Sequence, residues 1–164
     1  MAEHVDSGDK KFRVAFDLPS DDGSWAPFET ERLWAAKTQV KLHLRVQNTP
    51  FYVRGISYGD IILVRPDNER REIVFDKLVE ESGHSTVRLL FKEAEGKLRA
   101  ERLLTEFECP WEIGAKDYVA VDIAPRIDYS ILRPKLIQLK DEGLVGVQES
   151  SISTHHQAQL PEFP

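Results

Sequence analysis

Apolar and polar residues alternate along the first half of the chain, which is the pattern of strands that bury only one face. The first such strand has apolar residues at every second position: Phe12, Val14, Phe16 and Leu18. Pro19 and a polar turn at residues 20–24 end it. Comparable segments follow at residues 30–36, 41–46, 61–64 and 72–78. Five short strands at this spacing, without a clear helical pattern, predict a small β-barrel or a strongly bent sheet.

The periodicity changes after Gly83. Apolar residues first alternate again, as in a strand, at Val87, Leu89 and Phe91. The next apolar residues recur at helical spacing: Ala100, Leu103, Leu104 and Phe107. We therefore expect an amphipathic helix that starts near Gly96. Short extended segments follow at residues 109–113 and 119–123.

A second helix is predicted after residue 128. Three leucines mark its buried face: Leu132, Leu136 and Leu139. Asp128 or Ser130 is the candidate N-cap, and Gly143 lies where a helix is often ended by glycine. Pro134 fits only within or just beyond the first turn. With a last strand at residues 144–152, the order is β-α-β-β-α-β, which is that of a ferredoxin-like layer.

These patterns predict an α+β protein in which a small N-terminal β-barrel or bent sheet packs on a C-terminal ferredoxin-like βαββαβ layer. The boundary near Gly83 has little linker character, so we expect the two halves to pack as one unit. Polar residues at both ends predict flexible termini. The expected divisions are residues 1–11 (flexible), 12–82 (barrel), 83–153 (ferredoxin-like) and 154–164 (flexible).

The charge balance of the chain is acidic. The net charge is −6 over 164 residues, and acidic residues exceed basic ones in both halves. Nucleic-acid binding is disfavoured because neither half carries a basic surface. An acidic balance is compatible with a basic partner.

Cys109 is the only cysteine, so no intramolecular disulfide can form and nothing argues for secretion. Its apolar surroundings favour a buried hydrophobe over a nucleophile. We find no pattern of a signal peptide and no run of about 20 apolar residues that would span a membrane. We therefore expect a cytoplasmic protein without a membrane partner.

The densest polar chemistry lies in two segments, which we call polar segment 48–60 and polar segment 82–88. In the first, glycines permit tight turns that place Tyr52, Arg54 and Tyr58 close together. An arginine can bind a carboxylate or phosphate through two hydrogen bonds, and a tyrosine adds a ring face and a hydroxyl. This segment is therefore a candidate binding site.

The second segment offers His84 as a possible base and Ser85 as a possible nucleophile. Adjacent strand residues point to opposite faces, so these two are poor partners for each other. We assign no catalytic residue. The candidate ligand- or partner-binding residues are Tyr52, Arg54, Tyr58, Asp60, His84, Ser85 and Arg88.

A structural role for the same residues is the alternative. Arg54 could pair with Asp60 or a nearby glutamate, and residues 84–86 could satisfy backbone groups where the two halves meet.

Other chemistries find no support. The chain has no cysteine pair and no His-x-x-x-His spacing, so we predict no metal site, and we predict no cofactor. We expect His155 and His156 to be solvated in the tail. Residues 55–59 match the letters of a Gly-x-Ser-x-Gly nucleophile elbow but lack its strand-to-helix context. Tyr118 and Phe91 alone do not form the stacking platform of an RNA-binding sheet.

At the two polar segments the chain resembles a bacterial family of uncharacterised proteins, the domain-of-unknown-function family 4265. The similar stretches are Asn48, residues 50–60, residues 82–88, residues 119–123, Pro125 and residues 128–129, together with the strand that contains Trp34. The resemblance covers roughly residues 12–149, and the polar tail departs from it. It implies a bacterial origin and a shared site at the polar segments, but no reaction.

Two functional hypotheses remain. The first is a non-enzymatic immunity or inhibitor protein that neutralises a basic toxin by direct binding, aided by its acidic charge. Its candidate contacts are Asp21, Asp22, Glu80 and Glu81. The second is a small enzyme or ligand sensor whose polar segments converge on one pocket.

Overall fold

The computed structural model describes residues 10–19 and 29–161. The first half contains β1 (Lys11–Asp17), β2 (Thr30–Lys37), β3 (His43–Val46), β4 (Ile61–Asp67) and β5 (Glu72–Glu80). The second half contains β6 (Ser85–Phe91), α1 (Ala94–Glu106), β7 (Trp111–Ile113), β8 (Tyr118–Ile123), α2 (Tyr129–Asp141), β9 (Val145–Ser151) and α3 (Thr154–Gln157). No helix in these ranges combines the length and apolar character needed to cross a bilayer.

The first sheet contains β1 to β5, each paired in antiparallel orientation with its neighbour in the chain. β1 also pairs in parallel with β5, through Val14 with Ile73 and Ala15 with Val74. The five strands therefore pair in a ring. Its interior holds side chains from alternate strand positions, among them Phe16, Leu33, Val46, Ile62 and Val64.

The second sheet is antiparallel, with the strand order β7-β8-β6-β9. One face carries Val87 and Leu89 and packs against buried residues of both long helices, including Leu104 and Leu136. The opposite face meets polar segment 48–60, where the Thr86 hydroxyl donates to the Ser57 hydroxyl at 3.0 Å. The α+β class is confirmed: two mainly antiparallel sheets with few helices.

The ends of α2 follow from its sequence. Asp128, one of the two predicted caps, accepts a hydrogen bond from the backbone N–H of Ser130 at 3.0 Å. Gly143 has a positive φ of 77°, and the N–H of Leu144 donates back to the Leu139 carbonyl. This is the geometry of a glycine-ended helix. Pro134 lies inside the helix just beyond its first turn, so the Ser130 carbonyl has no N–H at position 134 from which to accept.

The C-terminal segment differs from the flexible tail predicted for residues 154–164. Residues 154–157 form α3, and Ser153 caps this helix by accepting from the N–H of His156. His156 is fully buried rather than solvated, whereas His155 is exposed. A four-residue helix held by one buried side chain has no apolar periodicity by which the sequence could reveal it.

Several sequence predictions lie outside the described residues. They are the flexible N-terminus over residues 1–9, the turn at 20–24, the contact candidates Asp21 and Asp22, and the last residues of the tail, 162–164.

Candidate functional site

Polar segment 48–60 connects the two sheets through backbone hydrogen bonds. On the side of the first sheet, the Gly59 N–H donates to the Val46 carbonyl at 2.8 Å. On the side of the second sheet, the Gly55 N–H donates to the Ser150 carbonyl at 3.0 Å. Both glycines have positive φ, at 78° for Gly55 and 82° for Gly59, as their place in tight turns requires.

A buried carboxylate that the sequence reasoning missed holds the start of this segment. Glu31 on β2 accepts hydrogen bonds from three consecutive backbone N–H groups, those of Phe51 (2.7 Å), Tyr52 (3.0 Å) and Val53 (2.8 Å). The residue is only 8% exposed. The sequence did contain a sign that Glu31 is buried, because the two-residue period of β2 places it on the same inward face as Leu33.

Arg88 and Tyr118 bind the same part of the segment from the second sheet. The Arg88 guanidinium donates to the Val53 carbonyl, and the Tyr118 hydroxyl donates to the Phe51 carbonyl. Burial lowers the pKa of Arg88 and raises the pKa of Tyr118 to about 12. The Tyr52 ring stacks on Tyr118 at 6.0 Å between centroids, and burial also raises the Tyr52 pKa. Arg88 and Tyr52 therefore lie in the contact between the sheets.

Asp60 joins the two polar segments. Its carboxylate accepts from the backbone N–H of Ser57 at 2.9 Å, and from the N–H and hydroxyl of Ser82 at 2.8 and 3.0 Å. Burial raises the pKa of Asp60, and these hydrogen bonds act in the opposite direction. The sequence alternative that paired Arg54 with Asp60 is wrong, because Arg54 is exposed and Asp60 is bound elsewhere. Arg54 forms no hydrogen bond or ion pair with the described residues.

Ser85 pairs with a histidine that the sequence placed in the tail. Its hydroxyl oxygen lies 2.6 Å from Nδ1 of His156, whose Nε2 lies 3.1 Å from the Ala124 carbonyl. Since a carbonyl only accepts, Nε2 carries the proton and Nδ1 accepts from Ser85. The Ser153 N–H donates to the Ser85 oxygen at 2.9 Å. Burial lowers the pKa of His156, which favours the neutral ring. Ser85 and His156 are fully buried, so this Ser–His pair has no access to a substrate.

An open cavity of about 400 Å³ lies where the polar segments meet the ends of β4 and β5. We call it the His84 cleft, and it is lined by Arg45, Tyr58, Gly59, Ile61, Glu80, Glu81, Ser82 and His84. Nδ1 of His84 lies 2.7 Å from a carboxylate oxygen of Asp122 on β8. The Tyr58 and His84 rings are in contact, with centroids 5.3 Å apart. Asp122 occupies Nδ1, whereas Nε2 of His84 forms no hydrogen bond with the described residues.

The predicted candidate residues therefore fall into three environments. Tyr58 and His84 come together at the His84 cleft. Arg54 is exposed away from that lining. The remaining four candidates lie in the hydrogen-bonded contact between the halves or beneath α3: Tyr52, Asp60, Ser85 and Arg88. The proximity of Asp122 to His84 could not be predicted from the sequence, because it follows from the pairing of β6 with β8.

Two smaller cavities lie on the second half. One, of about 250 Å³, lies between α1 and α2, and the other, of about 260 Å³, lies beside β7. Neither contains a residue of the polar segments. In the described ranges, no group of three or more histidine, cysteine or carboxylate side chains is arranged to hold a metal ion.

The fold and these contacts define a class of two-sheet α+β protein in which a polar loop fills the space between the sheets and borders an open cleft. A model of the family "Domain of unknown function (DUF4265)" matches residues 31–147. The chain belongs to this family, which confirms the resemblance seen at the polar segments.

A solved structure has a similar fold. It is the crystal structure of a hypothetical protein from Neisseria gonorrhoeae, with a TM-score of 0.65 and 15% sequence identity. The similarity covers 88% of this chain and 96% of the other. At this identity the comparison shows a shared fold alone. No curated protein sequence matches the chain.

Proposed function

We propose that this protein acts by binding, and that it is an immunity or inhibitor protein that neutralises a basic toxin through the surface around the His84 cleft. The observation that carries the proposal is that some polar residues are buried and others border the cleft. The serine–histidine pair that resembles catalytic machinery is fully buried, whereas Tyr58 and His84 border an open cleft beside exposed carboxylates. This division favours recognition over nucleophilic chemistry.

The rim of the cleft supports a protein partner. Glu80 and Glu81 are exposed, and the preceding Leu78 and Val79 are 36% and 42% exposed. Exposed apolar and acidic residues are thus neighbours in the sequence at the end of β5. These two carboxylates, on a chain whose net charge is −6, would speed association with a basic protein. The proposal sets the interaction in the bacterial cytoplasm.

The test is an affinity capture with a matched charge control. The tagged protein, the double variant Glu80→Lys/Glu81→Lys and the control Glu69→Lys/Glu106→Lys are each used to capture partners from native cells. Both variants change the net charge equally, and Glu69 and Glu106 are exposed away from the cleft. We expect one stoichiometric basic protein with the wild type and the control, lost with the cleft variant, and a complex that re-forms from purified components. If no captured protein behaves in this way, the proposal is refuted.

A small enzyme or small-ligand sensor is the second candidate. It is favoured by the 2.7 Å contact of His84 with Asp122 at the lining of the cleft, since a carboxylate that orients one ring nitrogen is a common partner of a histidine general base. Ligand screening by thermal shift, with His84→Asn as the matched variant, tests it. Ligands that stabilise both proteins equally would exclude a site at His84.

We also propose a finer description of the fold. The ring of β1 to β5 is assigned as a small β-barrel over residues 12–82, and residues 83–153 as a ferredoxin-like layer. The strand order β7-β8-β6-β9, with helices after β6 and β8, supports the second assignment. Two separate clusters of buried apolar residues, one in each range, support the division.

A further inference from the structure

We propose that the His84 cleft binds a cation rich in hydrogen-bond donors, an ammonium or guanidinium group of the kind carried by lysine and arginine side chains. This inference deepens the proposed function. It rests on that proposal, because it assumes that the His84 cleft is the binding site. It names the chemical group that a basic partner would insert. It is argued from the hydrogen-bonding groups that the cleft leaves open.

The first group is the ring of His84. The Asp122 carboxylate can only accept, so Nδ1 of His84 carries the proton of their 2.7 Å hydrogen bond. In the neutral ring Nε2 is then an acceptor, and it forms no hydrogen bond with the described residues. When the ring is neutral, a ligand that binds this nitrogen must supply a donor.

One hydroxyl donor of the lining is used internally. The Ser82 hydroxyl lies 2.7 Å from the Tyr58 carbonyl, and its oxygen accepts from the His84 N–H at 3.1 Å. The Arg45 guanidinium is directed at the Gly59 carbonyl through a long contact of 3.5 Å. The Ser82 hydroxyl proton is therefore not available to a ligand.

The remaining lining groups also favour a cation. Glu80 and Glu81 add two exposed carboxylates, against the single positive charge of Arg45. The partly buried ring of Tyr58 adds an aromatic face, to which ammonium and guanidinium groups are attracted. A cavity of about 400 Å³ is large enough for one long side chain or a small amine. Acceptors, negative charge and an aromatic ring thus converge on one opening.

The experiment is an NMR titration of the full chain at constant ionic strength. The probes are L-argininamide as the cation and inorganic phosphate and N-acetylaspartate as anions. We expect saturable shifts of the His84 and Tyr58 ring signals with L-argininamide and none with the anions. Saturation by an anion, or no shift with L-argininamide, would overturn the inference.

Matched variants locate the binding. Glu80→Gln/Glu81→Gln should weaken L-argininamide binding about tenfold, whereas Glu69→Gln/Glu106→Gln should leave it unchanged. Tyr58→Phe keeps the aromatic face and should retain binding, whereas Tyr58→Leu should weaken it about two- to fivefold. Equal binding by all four variants would refute the site.

Each of the two proposals can be refuted without refuting the other. If L-argininamide binds at the cleft and no protein partner is captured, the cation site stands and the inhibitor function falls. If a partner depends on Glu80 and Glu81 but the probe does not bind, the partner is held by the rim and the cation site is wrong.

Discussion

Ser85 and His156 are joined by a buried hydrogen bond of 2.6 Å although they lie 71 positions apart in the chain. The bond connects the first residue of β6 to α3, and a second bond from the Ser153 N–H reaches the same hydroxyl at 2.9 Å. Each polar atom in this group has a partner and none reaches solvent. The pair therefore holds the C-terminal helix onto the second half.

Replacing Ser85 should measurably destabilise the fold. Ser85→Ala leaves Nδ1 of His156 and the N–H of Ser153 buried without this partner, and each such loss costs about 1–3 kcal/mol. Chemical denaturation should show a free energy of unfolding lower by about 2 kcal/mol. The control is Thr154→Ala, an exposed position at the start of α3. Equal stability of Ser85→Ala and wild type would show that the pair contributes nothing.

Stability should also depend on the protonation of His156. Burial lowers its pKa in the folded protein, so the unfolded chain takes up the proton more readily. The stabilising contribution is therefore present above the ordinary histidine pKa of about 6.5 and is lost as the pH falls below it. Between about pH 8 and pH 5.5, wild type should lose more stability than His156→Gln. His155→Gln, on the exposed face of the same helix, should behave like wild type; a slope shared by all three proteins would exclude His156 as the cause.

The main elements of the fold could be predicted from the sequence because their periodicity is local. Residues 61–64 and 72–78, for example, alternate or run apolar over the positions that become β4 and β5. The α3 helix could not be found in this way, since its stability comes from His156 contacting Ser85 and Ala124, which are distant in the chain.

The site was only partly predictable for the same reason. Unusual residue content revealed the two polar segments, and Tyr58 and His84 do meet at a cleft. Content alone could not separate a lining residue such as His84 from an internal one such as Arg88. That distinction depends on strand register and on which face of the second sheet polar segment 48–60 covers.

Glu31 should be required for the order of polar segment 48–60. Glu31→Gln replaces one acceptor oxygen by an NH₂ group, which faces backbone N–H donors instead of accepting from them. Hydrogen bonds to charged groups contribute about 1.5–3 kcal/mol, so we expect a loss of about 2 kcal/mol in the free energy of unfolding. Glu69→Gln, on an exposed turn, is the control. Denaturation curves that superimpose would mean that the three N–H groups do not need the carboxylate.

Cys109 should be inert in the folded protein. It is 2% exposed, and burial raises the pKa of its thiol to about 11, so little thiolate is present at neutral pH. A colorimetric thiol reagent should react slowly with the native chain and fully in denaturant. The signal is unambiguous because the chain has one cysteine. Rapid stoichiometric labelling of the folded protein would contradict this burial.

We expect packing to require glycine at position 96, although glycine has a low helix propensity. It lies in α1, where Gly→Ala normally stabilises by about 1 kcal/mol. A Cβ atom at this position would lie 2.4 Å from the Leu144 carbonyl oxygen, far inside van der Waals contact. That oxygen is fixed because it accepts from the Lys92 N–H at 3.0 Å. The first turn of α1 and the chain entering β9 must therefore separate to admit a methyl group.

We expect Gly96→Ala to lower the free energy of unfolding by about 1–3 kcal/mol, since overpacking a close contact costs more than helix propensity returns. Lys97→Ala, at the next and exposed position of α1, should change stability by less than about 0.5 kcal/mol. Thermal or chemical denaturation of the two variants shows whether Gly96→Ala lowers or raises the free energy of unfolding. A stabilised Gly96→Ala would mean that α1 can move away from Leu144 at no cost, and that glycine is not needed for the approach of helix and strand.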